Sequence, residues 1–174
     1  MEAFAIGDEL QLDGMAEDRL TRDGFARWVE PHWAAMAALA ARAGADGEDV
    51  LQDALASAWR KRRQFDARRG TARNWLLAIT ADARRKHWRS AARLPTPVSD
   101  NPAVTIITAP ETAMDLDRAL AQLGRKQRLA VELHYYLGLP VADAAKVLRV
   151  SEGTLKSNLS DARRRLKEIL GKDY

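Results

Sequence analysis

Basic side chains and a tryptophan occur together in one stretch of this 174-residue chain. Residues 60–93 carry 12 Lys and Arg side chains but only two acidic ones. At helical spacing Trp88 falls between the directions of Arg84 and Arg85, which places a large aromatic ring on a basic face. Bases stack on such rings while arginines neutralise phosphates, and this is the chemistry of single-stranded nucleic-acid binding. The alternative is that Trp88 packs against another helix of the same bundle.

The charge of the flanking sequence sharpens this prediction. Residues 1–59 carry 4 basic and 12 acidic side chains, and residues 94–174 carry 12 and 10, for a net charge of +4 overall. A charge run is ordinarily a solvated helix face, but so large a local excess predicts an acidic partner at the middle of the chain. Nucleic acid is the first candidate, because bound cations release the counterions of its phosphates.

Side chains that could support catalysis or metal binding are sparse. The chain has no Cys, and its three His residues are far apart, so neither a thiolate nucleophile nor a metal cluster is expected. Glu132 and His134 lie near Tyr135 and Tyr136 and could form an acid–base group, but the tyrosines are expected to be packing residues of a helix. We therefore predict a protein that is not an enzyme, with no catalytic residue, metal or cofactor.

The N-terminal residues resemble no targeting signal. Six carboxylates occur among the first twenty residues, against Arg19 alone, which is the opposite of a signal peptide. No run of 18 apolar residues occurs, so no membrane-spanning helix is expected. We predict a cytoplasmic protein without membrane association, in which residues 1–20 form a disordered acidic extension.

The apolar residues recur at helical spacing through most of the chain, so the elements that position these side chains are predicted to be helices and the fold to be all-α. Four of the six prolines fall within sixteen residues and mark residues 94–112 as a Pro-rich linker between helical domains at 21–93 and 113–174. Pro31 is expected to divide or kink the first helical segment, Asp46 to cap a second helix and Thr71 a third. Beyond the linker, the pattern predicts helices at Met114–Leu123 and Arg125–Leu137.

The last part of the chain, PVADAAKVLRVSEGTLKSNLSDARRRLKEIL, predicts a helix-turn-helix. A short helix begins at Pro140 and ends at Leu148, a turn includes Arg149, and Ser151 caps the longer second helix. An αα-hairpin packed for stability alone is the alternative. Taking Leu155 as the buried direction, the outward arc contains Gly153, Ser157, Ser160, Asp161 and Arg164, with Lys156 on its flank.

Three of these segments carry a resemblance to one family. SEGTLKSNLSDARRRL is similar to the recognition helix of bacterial sigma factors. DGEDVLQDALASAW resembles the helix by which sigma factors of the extracytoplasmic-function (ECF) group, group 4 of the sigma-70 family, dock on RNA polymerase. RGTARNWLLAITADARRKHWR resembles their promoter-melting and minus-ten-reading segment. The segments follow the family's order and spacing over about residues 21–170.

The resemblance implies a sigma factor that binds the β and β′ subunits of core RNA polymerase, directs the enzyme to promoters and helps to open the duplex. It implies that promoter DNA is bound both as duplex and as the non-template single strand, and an anti-sigma factor is a further candidate partner. Polymerase binding would involve Asp49, Gln52, Asp53 and Ala56. Minus-ten binding and melting would involve Arg68, Arg69, Arg73, Asn74, Trp75, Arg84, Arg85 and Trp88. Minus-thirty-five binding would involve Thr154, Lys156, Ser157, Ser160, Asp161 and Arg164.

Two positions depart from the family's pattern or leave a role open. Arg149 stands where the family commonly has Gly, so we expect either a different turn or a strained left-handed residue. Asp161 points outward, and its carboxylate would either accept a hydrogen bond from a cytosine or form a local ion pair with Arg164 or Arg165.

Two other classes of protein are alternatives to a sigma factor. A stand-alone helix-turn-helix regulator explains the C-terminal half equally well. It does not explain the change from acidic to basic sequence at Trp59 or the basic helix that carries Trp88. A degenerate sigma factor acting as a decoy is the third candidate.

Overall fold

The computed structural model describes residues 20–91 and 111–171, and over these ranges the fold is all-α, as predicted. The first half contains α1 (Arg22–Val29), α2 (Trp33–Ala41), α3 (Gly47–Lys61) and α4 (Ala72–Ala91). The second contains α5 (Glu111–Ala121), α6 (Arg125–Val131), α7 (Val141–Leu148) and α8 (Glu152–Leu170). Within the described ranges, no helix is both long and apolar enough to cross a membrane.

The ends of several helices follow from local side-chain chemistry. The Oγ1 of Thr71 accepts a hydrogen bond from the Asn74 N–H at 3.2 Å, and the Oγ of Ser151 accepts one from the Thr154 N–H at 3.1 Å. Both capping predictions are therefore confirmed. Asp46 occupies the cap position of α3, but its side chain makes no capping bond, so that prediction is only partly right.

The junctions between α1, α2 and α3 depend on two special residues. A 3-10 turn at Glu30–His32 contains Pro31 and divides α1 from α2, as predicted. Gly47 opens α3 where α2 comes close, and a Cβ there would lie 3.0 Å from the Cα of Ala41. Only glycine fits this approach without a shift of the backbone.

The first half has its own apolar core with an aromatic cluster beside it. The buried side chains come from α1 to α4, and they are Val29, Met36, Ala40, Val50, Ala54, Ala58, Leu76, Ile79 and Ala83. Trp75 packs with its ring centroid 5.7 Å from those of both Trp28 and Phe65, and Phe25 contacts Trp28 and Trp59. This packing fixes the start of α4 against α1.

The predicted helix-turn-helix is present in the second half. Leu155, Leu159 and Ala162 of α8 are buried. α7 packs against α8, and a short turn connects the two helices. Arg149 in that turn has φ 57° and ψ 46°, so it adopts the left-handed conformation, the second of the two outcomes expected. The left-handed conformation costs an L-amino acid other than glycine roughly 1–2 kcal/mol of free energy.

The two halves share one continuous core, which the sequence did not predict. Leu39, Leu77 and Ala81 of the first half are buried in the same cluster as residues of α6, α7 and α8. α4 lies against α7, and Trp88 packs at the edge of the shared cluster. The halves therefore meet along a seam formed largely by α4.

Several predicted boundaries need correction. α5 begins at Glu111, so the last two residues of the predicted linker are helical; the rest of the linker and residues 1–19 lie outside the described residues. The predicted helix from Arg125 is α-helical only to Val131 and continues as a π-helix at Glu132–Tyr136. Pro140 precedes α7 instead of opening it. Tyr135 and Tyr136 are 54% and 57% exposed, so the expectation that they are packing residues of a helix was wrong.

Candidate nucleic-acid interface

The outward face of α8 presents a row of polar and basic side chains to solvent. This face is exposed because Leu155, Leu159 and Ala162 anchor the opposite side of the helix in the core. The exposed members of the predicted set are Thr154, Lys156, Ser157, Ser160 and Arg164. In helix-turn-helix proteins, the first turns of the second helix are the part that meets base edges in the major groove.

Asp161 is only partly exposed and has a partner on its own helix. Its Oδ1 accepts a hydrogen bond from Arg164 Nη2 at 2.5 Å. Lys156 Nζ lies 3.9 Å from Glu152 Oε2, one turn earlier. Of the two roles expected for Asp161, the structure contains the local ion pair.

The loop before α4 carries two exposed arginines, Arg68 and Arg69. Arg68 donates from its backbone N–H and its Nε to Asp66 Oδ1, at 3.0 and 3.1 Å. Hydrogen bonds from Arg68 lower the pKa of the Asp66 carboxyl. Asp66 thereby caps the 3-10 turn that presents the two guanidinium groups.

The other predicted minus-ten residues at the start of α4 are engaged inside the molecule. Arg73 Nη2 donates to the backbone carbonyl of Leu137 at 2.8 Å, across the seam to the second half. Trp75 belongs to the aromatic cluster, and Asn74 is half-buried. The structure therefore brings these residues near the loop but does not leave them open together.

Arg84 is fully buried, although the sequence placed it on an exposed basic face. Its Nη1 and Nη2 donate to the two carboxylate oxygens of Glu132, and Nη2 also donates to the Arg42 carbonyl at 3.1 Å. Its Nε finds no hydrogen-bond partner among the described residues. Burial lowers the pKa of this guanidinium, and Glu132 opposes that shift.

Trp88 packs against other helices of the bundle, which is the alternative to a stacking role on a basic face. Its half-buried ring contacts the shared core, and the Arg84 guanidinium carbon lies 4.8 Å from the ring centroid. Arg85, half-buried beside it, donates from Nη2 to Asp82 at 2.6 Å. Neither Arg84 nor the whole Trp88 ring can reach DNA while the halves are packed together.

The predicted docking face of α3 is mostly open to solvent. Asp49, Gln52 and Ala56 are exposed and take no part in the core. Asp53 is instead tied to α4, because its Oδ2 lies 3.1 Å from Lys86 Nζ and 3.2 Å from His87 Nε2. These contacts, the Lys86 hydrogen bond above all, lower the pKa of the Asp53 carboxyl.

Sequence reasoning missed the polar network at the seam. Glu132 accepts from Arg128 Nε at 3.0 Å as well as from Arg84, and Arg128 also donates to the Arg42 carbonyl at 2.7 Å. Arg42 in turn donates to Asp117 at 2.6 Å. The available signal was a carboxylate inside the apolar run Leu129–Leu133, since such a group needs a buried partner.

The candidate acid–base group does not form. Glu132 is 1% exposed, and its carboxylate accepts hydrogen bonds from Arg84 and Arg128. His134 Nδ1 instead lies 2.7 Å from the carbonyl oxygen of Leu139. Within residues 20–91 and 111–171, no group of three His, Cys, Asp or Glu side chains is arranged to hold a metal ion.

Two regions of the chain match known protein families. Residues 24–94 match the family described as Sigma-70 region 2, and residues 113–166 match Sigma-70, region 4. The ECF RNA polymerase sigma factor SigM of Mycobacterium tuberculosis is 38% identical over 167 residues, which cover 94% of this chain and 84% of SigM. The ECF RNA polymerase sigma factor SigF of Caulobacter vibrioides is 33% identical over 126 residues, 71% of this chain and 70% of its own.

Solved structures show the same fold. The sigma factor RpoE of Bartonella quintana, in complex with the anti-sigma factor NepR, aligns with a TM-score of 0.71 and 27% identity, covering 88% of this chain and 100% of RpoE. CnrH, in complex with the cytosolic domain of CnrY, aligns with a TM-score of 0.67 and 24% identity, covering 92% and 97%. At that identity the second likeness concerns the fold alone.

Proposed function

The chain belongs to the ECF group of the sigma-70 family of sigma factors, and from that membership we propose how its own residues divide the work. An ECF sigma factor binds core RNA polymerase, directs it to specific promoters and promotes DNA opening at the start of transcription. The observation that carries the assignment is that both halves match sigma-70 regions in the family's order. A stand-alone regulator is not favoured, because it would account for the second half alone.

Minus-thirty-five recognition is assigned to α8. Thr154, Ser157 and Ser160 stand on its outward face and offer hydroxyl groups to base edges in the major groove. Lys156 and Arg164 lie on the same helix and contact phosphates, which sets affinity and salt dependence. Asp161 positions Arg164 through their hydrogen bond.

Minus-ten binding and melting are assigned to α4 and the loop before it. Arg68 and Arg69 are exposed and meet the backbone of the opened strand. Arg73, Asn74 and Trp75 are assigned to a base that leaves the stack, once Arg73 is released from the Leu137 carbonyl. Unstacking the base costs a few kcal/mol, which contacts of this kind must offset. Arg84, Arg85 and Trp88 continue the surface once the second half has moved away.

The exposed face of α3 is assigned to polymerase. Asp49, Gln52 and Ala56 are exposed and take no part in the core. Asp53 joins them when its contacts with Lys86 and His87 exchange for contacts with the enzyme. The β and β′ subunits are the partners that this role requires.

The division of the chain follows from these roles. Residues 21–93 would form the polymerase and minus-ten domain, and residues 113–174 the minus-thirty-five domain, with the linker between them. We propose a non-enzymatic role, because nucleotide polymerisation belongs to the partner enzyme. We also propose a location in the cytoplasm, where that partner acts. An anti-sigma factor is a further proposed partner, by analogy with the complex of RpoE with the anti-sigma factor NepR.

Binding to duplex promoter DNA with and without core polymerase tests the assignment. We expect fluorescence anisotropy to report specific binding mainly when the enzyme is present, because the minus-ten residues of the free chain are partly buried. Specific binding by the chain alone would instead identify a regulator. An absence of binding in both conditions would identify a decoy.

A further inference from the structure

A small recess opens at the seam between the two halves, beside Trp88. It has a volume of about 180 Å³ and receives side chains from both α4 and α6. This volume is below the roughly 300–1,000 Å³ of whole small-molecule sites, so it fits a single ring or phosphate group with the remainder of a ligand outside. Its lining residues are Arg85, Trp88, Arg89, Arg125, Lys126 and Leu129.

The lining of the recess is strongly cationic. Four of its six residues are Arg or Lys, and no carboxylate lines it. Arg85 is paired with Asp82, but Arg89, Arg125 and Lys126 make no ion pair with any residue in the described ranges. Packing the halves together brings these like charges close, which costs free energy unless an anion lies between them.

Trp88 gives the recess its second property. The ring is only half-buried, and the Arg125 guanidinium carbon lies 5.8 Å from its centroid. A flat aromatic ring beside several cations matches a ligand that has both a planar base and phosphates. A bare phosphate would use only the cations, and an uncharged base only the ring.

We propose that this recess binds a nucleoside polyphosphate in the free chain. The base stacks on Trp88 in place of the Arg125 guanidinium, and the phosphates lie outside the recess on the exposed side chains of Arg89, Arg125 and Lys126. Because the site takes residues from both halves, the ligand stabilises their packed arrangement. Arg125 and Lys126 have no part in the proposed promoter role. Trp88 and Arg85 do, so the nucleotide and opened DNA compete for them.

Isothermal titration of the full chain with ATP at low salt tests the proposal. We expect saturable binding that Arg125→Gln with Lys126→Gln weakens by about tenfold or more, because each change removes a charge-assisted contact. The matched control is Arg60→Gln with Lys61→Gln, which removes the same charge from the exposed end of α3 and should leave affinity within about twofold. Equal losses in both variants, or no ATP binding to the native chain, would overturn the proposal.

Two further arms test the ring and the source of the nucleotide. Inorganic triphosphate should bind about 5- to 150-fold more weakly than ATP, since about 1–3 kcal/mol of stacking on the ring is lost. Trp88→Leu, which keeps an apolar side chain against the core, should reduce ATP affinity towards that of triphosphate. Equal affinity for ATP and triphosphate would remove the base from the site. If a short single-stranded oligonucleotide binds in a way that requires Arg125 and Lys126, and ATP does not bind, the assignment to a free nucleotide is overturned.

Discussion

Arg84 of α4 and Glu132 of the π-helix form a buried ion pair that joins the two halves of the chain. The two residues are 48 positions apart in sequence, and they are 0% and 1% exposed. Around them, Arg42 and Arg128 complete a polar network inside an otherwise apolar seam. Arg84 is also a residue proposed to contact opened DNA, so the packed arrangement and the DNA-bound arrangement use the same side chain differently.

Removing one partner of this pair should strongly destabilise the packed arrangement. We expect Glu132→Leu to lower the free energy of unfolding by about 3–5 kcal/mol, because it leaves a buried guanidinium without its counter-charge. Arg84→Met combined with Glu132→Leu should recover most of that loss, since two apolar groups need no partner. Urea denaturation of the single and double variants provides the measurement. A single variant as stable as the native chain would show that the pair is not held in this way.

The left-handed residue in the helix-turn-helix predicts a gain from glycine. Arg149→Gly removes the steric cost of φ 57°, whereas Arg149→Ala keeps it, and both lose the 3.2 Å ion pair with Asp82. The Arg149→Gly variant should therefore be more stable than Arg149→Ala by about 1 kcal/mol. Because both variants lack the ion pair, its loss does not contribute to this difference in stability. Thermal melts of the two variants measure it. Equal melting temperatures would mean that the turn is not strained.

The contacts between Asp53 and α4 predict a dependence of stability on pH. The pKa of Asp53 is lowered from its usual 3.8, chiefly by the Lys86 hydrogen bond. The carboxylate therefore stabilises the fold fully above that usual value, and the contribution is lost as the pH falls through the lowered pKa. The stability difference between the native chain and Asp53→Asn should shrink across this acidic range. If that difference stays constant from pH 7 to well below pH 3.8, the contact is contradicted.

The ion pair on α8 predicts how promoter choice responds to two substitutions. Asp161→Ala should leave the preferred minus-thirty-five sequence unchanged and cost about 0.3–0.5 kcal/mol of stability, because it removes only a local pair. Lys156→Ala should weaken binding to all promoters alike, because it removes a phosphate contact. Selection from randomised minus-thirty-five sequences with each variant in the holoenzyme gives the comparison. A preference relaxed at one base position in Asp161→Ala would restore the base-reading role.

Local features of this chain could be predicted from the sequence, because each depends on residues a few positions apart. The caps at Thr71 and Ser151, the break at Pro31 and the buried arc from Leu155 are of this kind. The helix-turn-helix followed from the same signals. In the candidate site, the same reasoning predicted the exposed residues of α8 and α3, except that Asp53 and Asp161 are only partly exposed.

The seam could not be predicted, because it depends on how two halves orient across a long connection. The pattern around Arg84 is that of a basic helix face, and only the approach of Glu132 makes that face an interior one. Trp88 fits both a stacking surface and a packing role, and the packed neighbours decide between them. The sequence also left two conformations open for the turn at Arg149. The packing of the helices on both sides of the turn decides between them, and this packing cannot be deduced from neighbouring residues.

As a sigma factor, this chain directs core RNA polymerase to promoters. Sequencing the 5′ ends of transcripts made on genomic DNA by core polymerase, with and without the full chain, tests it most directly. We expect a set of start sites that appears only with the chain and shares one pair of minus-ten and minus-thirty-five sequences. Transcripts whose start sites are the same with and without the chain would contradict the claim.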